Sequence, residues 1–196
     1  MNRYVLLILM SLFFSSCWNL YVCVNDTTYL YLTDEQKAEI RQFSDPPLPD
    51  TVERYVTEIT AKDLYTSFGN NKYTWTYLWV PGCGSENCKP LFYYDNIIKT
   101  QEHKGLQLFL ISNTYSYKSV KKRMAGFSGT VYVLKFARYG HKTGKNSRLF
   151  GQEMMNAGYL KDAYFGGHMV YKGDSLIYNG SAMSNAIMDS VLAANP

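Results

Sequence analysis

The residues best suited to chemistry in this sequence are two cysteines, Cys83 and Cys88, in the stretch YTWTYLWVPGCGSENCKP. A cysteine thiolate is both a nucleophile and a metal ligand. A close pair therefore suits thiol–disulfide exchange, a structural disulfide or a site for a soft metal. The residue types alone leave all three chemistries open.

The spacing of the pair limits the backbone that can hold it. Two residues five apart on one continuous helix point about 140° away from each other, because a helix has 3.6 residues per turn. A bond between Cys83 and Cys88 therefore requires the intervening GSEN to form a loop, which its glycine, serine and asparagine favour. Glu86 places a negative charge nearby, which is expected to raise a thiol pKa.

The flanking elements place the pair between a strand and a helix. KYTWTYLWV is typical of a central strand buried on both faces, and the cysteines follow it directly. KPLFYYDNIIKTQEHKG then predicts a helix with Pro90 in its first turn and Gly105 at its C-cap. Cys88 is thus expected near a helix N-terminus, where unpaired N–H groups and the helix dipole lower a thiol pKa, and Cys83 on the loop before it.

The remaining segments continue an alternation of strands and helices. In chain order they are a strand in TVERYVTEI, a helix in AKDLYTSFGNN, a strand in LQLFLIS, a helix in SYKSVKKRMAGF, an extended segment in TVYVLKF, a loop in RYGHKTGKNS and a helix in RLFGQEMMNAG. GHMVYKGDSLIYNG predicts a hairpin with Gly173 at positive φ in its turn, and Ser184 caps a last helix in SNAIMDSVLAAN. This order predicts an α/β fold with parallel strands, helices on both faces and an antiparallel hairpin.

The N-terminus predicts export from the cytoplasm. Arg3 precedes an apolar run over residues 4–14, and two serines precede Cys17, which is the layout of a secretory signal. The run is shorter than the about 20 residues that span a bilayer. A cysteine after two small residues resembles a bacterial lipoprotein signal, which implies cleavage before Cys17 and attachment of a lipid to its sulfur. The alternative is an uncleaved signal anchor that continues through WNLYVCV.

We expect three parts in the chain. Residues 1–16 form the signal peptide, residues 17–50 a tether with a short helix and a Pro-rich linker, and residues 51–196 one domain. Apolar residues make up 46% of the chain and charged residues 18%, so the domain has enough apolar side chains for a core and is not disordered by composition. The net charge of +4 is too small to predict nucleic-acid binding.

The order of elements and two motifs resemble the thioredoxin-like fold superfamily, most closely its TlpA-like branch of lipoprotein and periplasmic redoxins. The motifs are YLWVPGCGSENCKPLF and GGHMVYKGDSLIYNG, and the resemblance covers roughly residues 51–195. It implies a three-layer α/β/α fold whose mixed central sheet ends in a β-hairpin and a C-terminal helix. It also implies thiol–disulfide exchange without a cofactor, with Cys83 as nucleophile and Cys88 as resolving cysteine.

The same resemblance implies the surroundings and partners of the pair. The residues expected to line the site are Trp79, Pro81, Gly82, Gly166 and Gly167. The expected partners are envelope proteins that carry thiols or disulfides, in a bacterial cell envelope where a lipid anchor holds this chain facing the periplasm. The chain departs from the family in two ways: its cysteines are separated by four residues instead of two, and glycines stand where a cis-proline usually precedes the hairpin.

Two alternatives remain beside the exchange reaction. Cys83, Cys88 and His168 resemble the copper ligands of Sco-type chaperones, since thiolates and imidazole both suit copper. The plainer interpretation of His168 is a half-buried strand residue. The second alternative is a redox-inactive envelope binding module in which the two cysteines form only a structural disulfide.

Overall fold

The computed structural model describes residues 28–45, 56–81 and 89–196. Within these ranges the chain forms one mixed β-sheet with helices on both faces. The expected signal peptide, Cys17, the boundary at residue 50, Gly82 and both members of the cysteine pair lie outside the described residues.

Seven strands are seen in the described residues, in the spatial order β1-β2-β5-β4-β3-β6-β7. They are β1 (Arg41–Gln42), β2 (Thr57–Ile59), β3 (Tyr73–Trp79), β4 (Leu106–Ser112), β5 (Val131–Leu134), β6 (His168–Lys172) and β7 (Ser175–Gly180). Neighbours from β1 to β3 in this order run parallel, whereas β6 and β7 are antiparallel additions beside β3. This confirms the predicted mixed sheet that ends in a hairpin.

Seven α-helices connect or flank these strands in the described ranges. They are α1 (Asp34–Ala38), α2 (Ala61–Ser67), α3 (Leu91–Gln101), α4 (Tyr117–Met124), α5 (Phe136–Tyr139), α6 (Thr143–Asn156) and α7 (Asn185–Ala194). The predicted C-terminal helix is present, and the Ser184 hydroxyl accepts a hydrogen bond from Ile187 N at its start.

Strand β3 is buried on both faces because it lies inside the sheet between two helical layers. Trp75, Tyr77 and Trp79 point into the core formed with α3 and α7, and Leu78 on the opposite face packs in the core formed with α2 and α6. This explains why the strand is a continuous run of aromatic and β-branched residues rather than an alternating one.

The helix boundaries follow local capping chemistry at most ends. Thr33 and Thr60 each begin a helix with a reciprocal capping box, with Gln36 and Asp63 as the respective third helical residues. Gly105 takes up φ +72° after the turn that ends α3, as a C-terminal glycine is expected to do.

The prediction of a loop over RYGHKTGKNS is wrong. Helix α5 ends inside this stretch, and α6 begins at Thr143, well before the expected start at Arg148. The buried face of α6 includes Asn146 and Phe150, and burial of that face outweighs the weak helix propensity of the polar and glycine residues around it.

Residues 28–45, which fall in the expected tether, pack onto the domain. Leu32 is 5% exposed and belongs to the core on the α3 side. Tyr29 stacks on Phe136 with ring centroids 4.0 Å apart, and β1 pairs with β2. The folded body therefore includes this segment in addition to the domain expected from residue 51 onwards.

Candidate functional site

The described residues fix both ends of the segment that carries the cysteines. On one side, β3 ends at the buried Trp79, whose carbonyl accepts a hydrogen bond from Asn113 N at 3.4 Å, and the chain continues to the buried Pro81. On the other side, Pro90 has φ −65° and ψ 154° and directly precedes Leu91, the first residue of α3. The segment therefore leaves the carboxyl end of a buried strand and joins the N-terminus of a helix.

The loop before β6 reaches the same edge of the sheet. Tyr77 of β3 lies opposite His168, the first residue of β6, and the two strands are antiparallel. Gly166 and Gly167 therefore lie beside the end of β3, level with the residues that follow Tyr77. Trp79, Pro81 and these two glycines lie at the same end of the sheet, and that they line a site around Cys83 and Cys88 stays a prediction.

Gly167 has a backbone that only glycine adopts readily. Its φ is +71°, and a Cβ atom built on it would lie 2.7 Å from the carbonyl oxygen of Gly180. Proline fixes φ near about −65°, so proline is incompatible with this backbone. All described peptide bonds are trans.

His168 is buried in a cluster of aromatic rings at the edge of the sheet. Its side chain is 3% exposed, and its ring stacks on that of Tyr77 at a centroid distance of 4.0 Å. Trp75 Nε1 donates a hydrogen bond to His168 Nδ1 at 3.3 Å, and the ring of Tyr94 lies 5.9 Å away. The burial is greater than the half-buried strand position that the sequence predicts.

The protonation state of His168 follows from this environment. Burial lowers the pKa of His168 to about 4, so the imidazole is neutral at pH 7. Because Nδ1 accepts the indole hydrogen, the proton of the neutral ring lies on Nε2. Burial also raises the pKa of the neighbouring Tyr94 phenol. The cluster is thus uncharged near neutral pH.

One of the three residues expected to bind copper, His168, lies within the described ranges. Of its three ligands, His168 is described, and its Nδ1 is already engaged with Trp75. Nε2 is the nitrogen that would have to lose its proton and bind a metal. Among the described residues, no group of three or more histidine, cysteine, aspartate or glutamate side chains is placed to hold a metal ion.

Glu58 is a buried carboxylate that the sequence did not predict. Glu58 on β2 accepts hydrogen bonds from Tyr115 Oη at 2.6 Å and Phe136 N at 3.2 Å on one oxygen. Its other oxygen accepts from Gln42 Nε2 at 3.1 Å, and Lys135 Nζ donates to the amide oxygen of Gln42 at 2.6 Å. A glutamate inside a short predicted strand carries no local sign that such distant donors surround it.

Glu58 lies on the same row of the sheet as Trp79. The register pairs Glu58 with Val133, Val133 with Ser112, and Ser112 with Trp79. Three strand spacings of about 4.8 Å separate the two residues, so Glu58 is roughly 14 Å from the end of β3. The carboxylate therefore links β2 to Gln42 of β1, to Tyr115 and to the first residue of α5, and it is not in contact with the start of the cysteine segment.

Solved structures similar to this chain are thioredoxin relatives. A thioredoxin-related protein from Neisseria meningitidis serogroup B has 14% sequence identity and a TM-score of 0.43, covering 79% of this chain and 96% of that chain. A thioredoxin-like protein from Bacteroides caccae ATCC 43185 has 12% identity and a TM-score of 0.39, covering 63% of this chain and 40% of that chain. No protein-family model and no curated protein matches the chain.

The fold is thioredoxin-like. The strand order and the positions of the helices have this arrangement. A parallel βαβ unit positions β3 and β4 with α3 between them, and the antiparallel hairpin β6–β7 and the terminal helix α7 follow.

Proposed function

We propose that the chain carries out thiol–disulfide exchange through Cys83 and Cys88. The observation that carries this proposal is the position of their segment, which connects the buried end of β3 to the N-terminus of α3 beside the loop before β6. A helix N-terminus favours a thiolate over a thiol, and the exchange requires that a partner disulfide reaches this thiolate. The TlpA-like branch is part of the same proposal.

The exchange is a two-electron reaction that needs no cofactor. One thiolate of the reduced pair attacks a partner disulfide, forms a mixed disulfide and releases one partner thiolate. The second cysteine then attacks the mixed disulfide, which releases the other partner thiol and leaves a Cys83–Cys88 disulfide. The partner is reduced by two electrons and the pair is oxidised, and an external dithiol returns the pair to its starting state.

The test uses the full chain with Cys17 and Cys23 replaced by serine, so that one pair of thiols remains. The reduced protein is mixed with the disulfide of 2-mercaptoethanol, and the products are followed by mass spectrometry. We expect the mass to fall by two hydrogen atoms on oxidation, because two protons and two electrons leave the pair. Cys83→Ser and Cys88→Ser should each stop at the protein–probe mixed disulfide, and the variant that reacts faster identifies the attacking cysteine.

The proposal fails if the pair does not react. A chain whose pair stays reduced in the probe, or stays oxidised in excess dithiol, would have a structural disulfide or inert thiols instead. The chain with both Cys17 and Cys23 present is the matched control, and its pair should react at the same rate.

We further propose that the chain is exported and anchored by a lipid on Cys17, which accounts for the layout of its N-terminus. In the described ranges, the helices are all too short or too polar to cross a bilayer. In a bacterial host, Cys17→Ser should move the protein from the membrane fraction to the soluble fraction and remove the mass of the lipid. Unchanged fractionation and mass would contradict the anchor.

A further inference from the structure

A pocket of about 500 Å³ lies at the end of the sheet opposite to Trp79. It is bounded by the second half of α3, the start of β4 and residues 127–130, which directly precede β5. All of its lining residues lie within the described ranges. Strand β3 spans the distance from Tyr73 to Trp79 at about 3.3 Å per residue, so the pocket is roughly 20 Å from Trp79.

The floor of the pocket is an edge of β4 that no described strand covers. Strand β3 covers one edge of β4 along its whole length, whereas β5 covers the other edge only from Leu110 onwards. Tyr73 N donates to Gly105 O, which turns the main-chain groups of Gly105 towards β3. Neighbouring residues of a strand alternate in this respect, so the N–H and C=O groups of Leu106 and Leu108 turn towards the pocket.

The polar side chains around this edge include a buried carboxylate that has acceptor capacity left. The Asp95 side chain is 7% exposed, and it accepts from Ser128 Oγ at 2.5 Å on one oxygen and from Lys99 Nζ at 2.7 Å on the other. Burial would raise the pKa of Asp95, but these two hydrogen bonds lower it, so the carboxylate is ionised at pH 7 and its other lone pairs can accept. Amide and hydroxyl groups also line the pocket, on Asn70, Asn71, Gln107 and Thr130.

The charges around the pocket cancel. Asp95 is paired with Lys99, and Glu102 and Lys72 add one charge of each sign at exposed positions of the rim. The Lys72 ammonium lies 5.4 Å from the centroid of the Tyr73 ring, a cation–π contact that holds it beside that ring. An uncharged ligand is therefore favoured, because an anionic one would be repelled by the two carboxylates.

One side of the pocket is apolar and contains an aromatic ring. Ile98 of α3, Leu108 of β4 and Phe127 are each half-buried there. A Cβ atom built on Gly129 would lie 2.6 Å from the Phe127 ring, so this ring packs directly on the backbone of the loop. The face of an aromatic ring is partially negative and attracts the hydrogen atoms of C–H groups.

We propose that this pocket binds an uncharged sugar unit. Each hydroxyl group of a sugar both donates and accepts hydrogen bonds, which matches the Asp95 carboxylate, the amides and the open main-chain groups of β4. The C–H groups on one face of the sugar ring pack on Phe127 and Ile98. The pocket volume lies within the roughly 300–1,000 Å³ of most small-molecule sites. This inference goes beyond the proposed exchange reaction and does not depend on it.

The experiment titrates the full chain with the methyl glycosides of glucose, galactose and mannose and follows the backbone amides by NMR. We expect at least one glycoside to bind with a Kd of about 1 mM or below, the affinity of a well-placed ligand with about a dozen non-hydrogen atoms. The amide signals of Gln107, Ser128 and Gly129 should shift, and that of Trp79 should not. The methyl uronate of the same sugar, which adds a carboxylate, should bind at least ~5-fold more weakly.

Two glutamine variants test the role of the pocket itself. Gln107→Met removes an amide that lines the pocket and keeps the length of the side chain, so it should weaken binding at least ~5-fold. Gln152→Met is the matched control, because it makes the same change on α6, outside the pocket lining, and should keep the Kd of the parent protein. Amide signals that stay in place outside the substituted region show that each variant is folded.

Three results would overturn the inference. The first is that no glycoside shifts these signals at about 20 mM, well above the expected Kd. The second is equal binding by the parent protein and Gln107→Met. The third is a shift of the same signals by the peptide acetyl-Thr-Val-Thr-Val-amide and by none of the glycosides, which would assign the open edge of β4 to an added peptide strand. Cys83→Ser should bind the glycoside as the parent does, so sugar binding and thiol exchange are tested separately.

Discussion

His168, which the sequence offers as a possible copper ligand, is held in an uncharged environment. The aromatic rings of Trp75, Tyr77 and Tyr94 surround it, and the indole N–H occupies its Nδ1 atom. Removal from water disfavours the imidazolium, which is why its pKa falls to about 4. The free energy of unfolding should therefore depend on pH.

The free energy of unfolding should decrease as the pH is lowered through a range set by the titration of His168. The unfolded histidine titrates near pH 6.5, while burial holds the pKa of the folded one at about 4. As pH falls through this window, the unfolded chain takes up the proton first. The contribution of the neutral His168 to the free energy of unfolding is therefore complete above pH 6.5 and is lost towards pH 4, by about 3 kcal/mol at most. Urea unfolding across this range measures it.

Two histidine variants separate the effect of the His168 ring on the pH dependence of stability from that of another histidine. His168→Gln should flatten the fall between pH 6.5 and 4 even if its stability is lower throughout. His141→Gln changes a histidine outside the cluster and should keep the slope of the parent protein. Parallel curves for the parent and His168→Gln would contradict the buried, neutral assignment.

Gly167 should tolerate alanine less well than another glycine of the same backbone type. Gly158 also has positive φ, +86°, but nothing lies within 4 Å of a Cβ built on it. Gly158→Ala should cost about 1 kcal/mol of unfolding free energy through backbone strain alone. Gly167→Ala should cost about 1–3 kcal/mol more, because its methyl group meets the Gly180 carbonyl. Equal losses in urea unfolding would show that this contact relaxes freely.

At the scale of elements, the segment before the linker belongs to the folded body. Residues 28–45 add strand β1, bring Leu32 into the core and place Gln42 on the buried Glu58. The sequence allowed prediction of helix α1, because Thr33 and the acidic first turn are local signals. Its packing depends on Phe136 and Glu58, which are distant in sequence, and no local pattern indicates such contacts.

The packing of this segment can be measured with two leucines two residues apart. Leu32 is 5% exposed and Leu30 is 53% exposed. Leu32→Ala should cost about 2–5 kcal/mol of unfolding free energy, because it leaves a cavity in the core. Leu30→Ala should stay within about 0.5 kcal/mol. Similar small losses for both would indicate that the segment is a tether, as the sequence first suggested.

Other elements also differ in whether local sequence or distant contacts determine them. The hairpin β6–β7 was predictable because Gly173 supplies the positive φ that its turn needs, and the structure has φ +51° there. The early start of α6 was not predictable. Burial of one face of this helix stabilises it, and the polar sequence RYGHKTGKNS does not indicate that burial.

At the scale of the whole molecule, alternating strands and helices were enough to predict the layers and the mixed sheet. The order of the strands was less accessible, because β5 inserts between β2 and β4 and only the folded sheet shows it. At the candidate site, the strand that precedes the cysteines was predictable from its run of buried residues. The aromatic cluster around His168 was not predictable, because residues of β3, α3 and β6 meet to form it.

The central claim is that Cys83 and Cys88 form a redox-active pair, and its reduction potential tests this most directly. The potential is measured by equilibration with a glutathione or dithiothreitol buffer, with Cys83→Ser as the control that removes the two-electron couple. We predict a potential between about −270 and −120 mV, the range of proteins that exchange disulfides. A value below about −300 mV would mark an inert structural disulfide and contradict the proposed function.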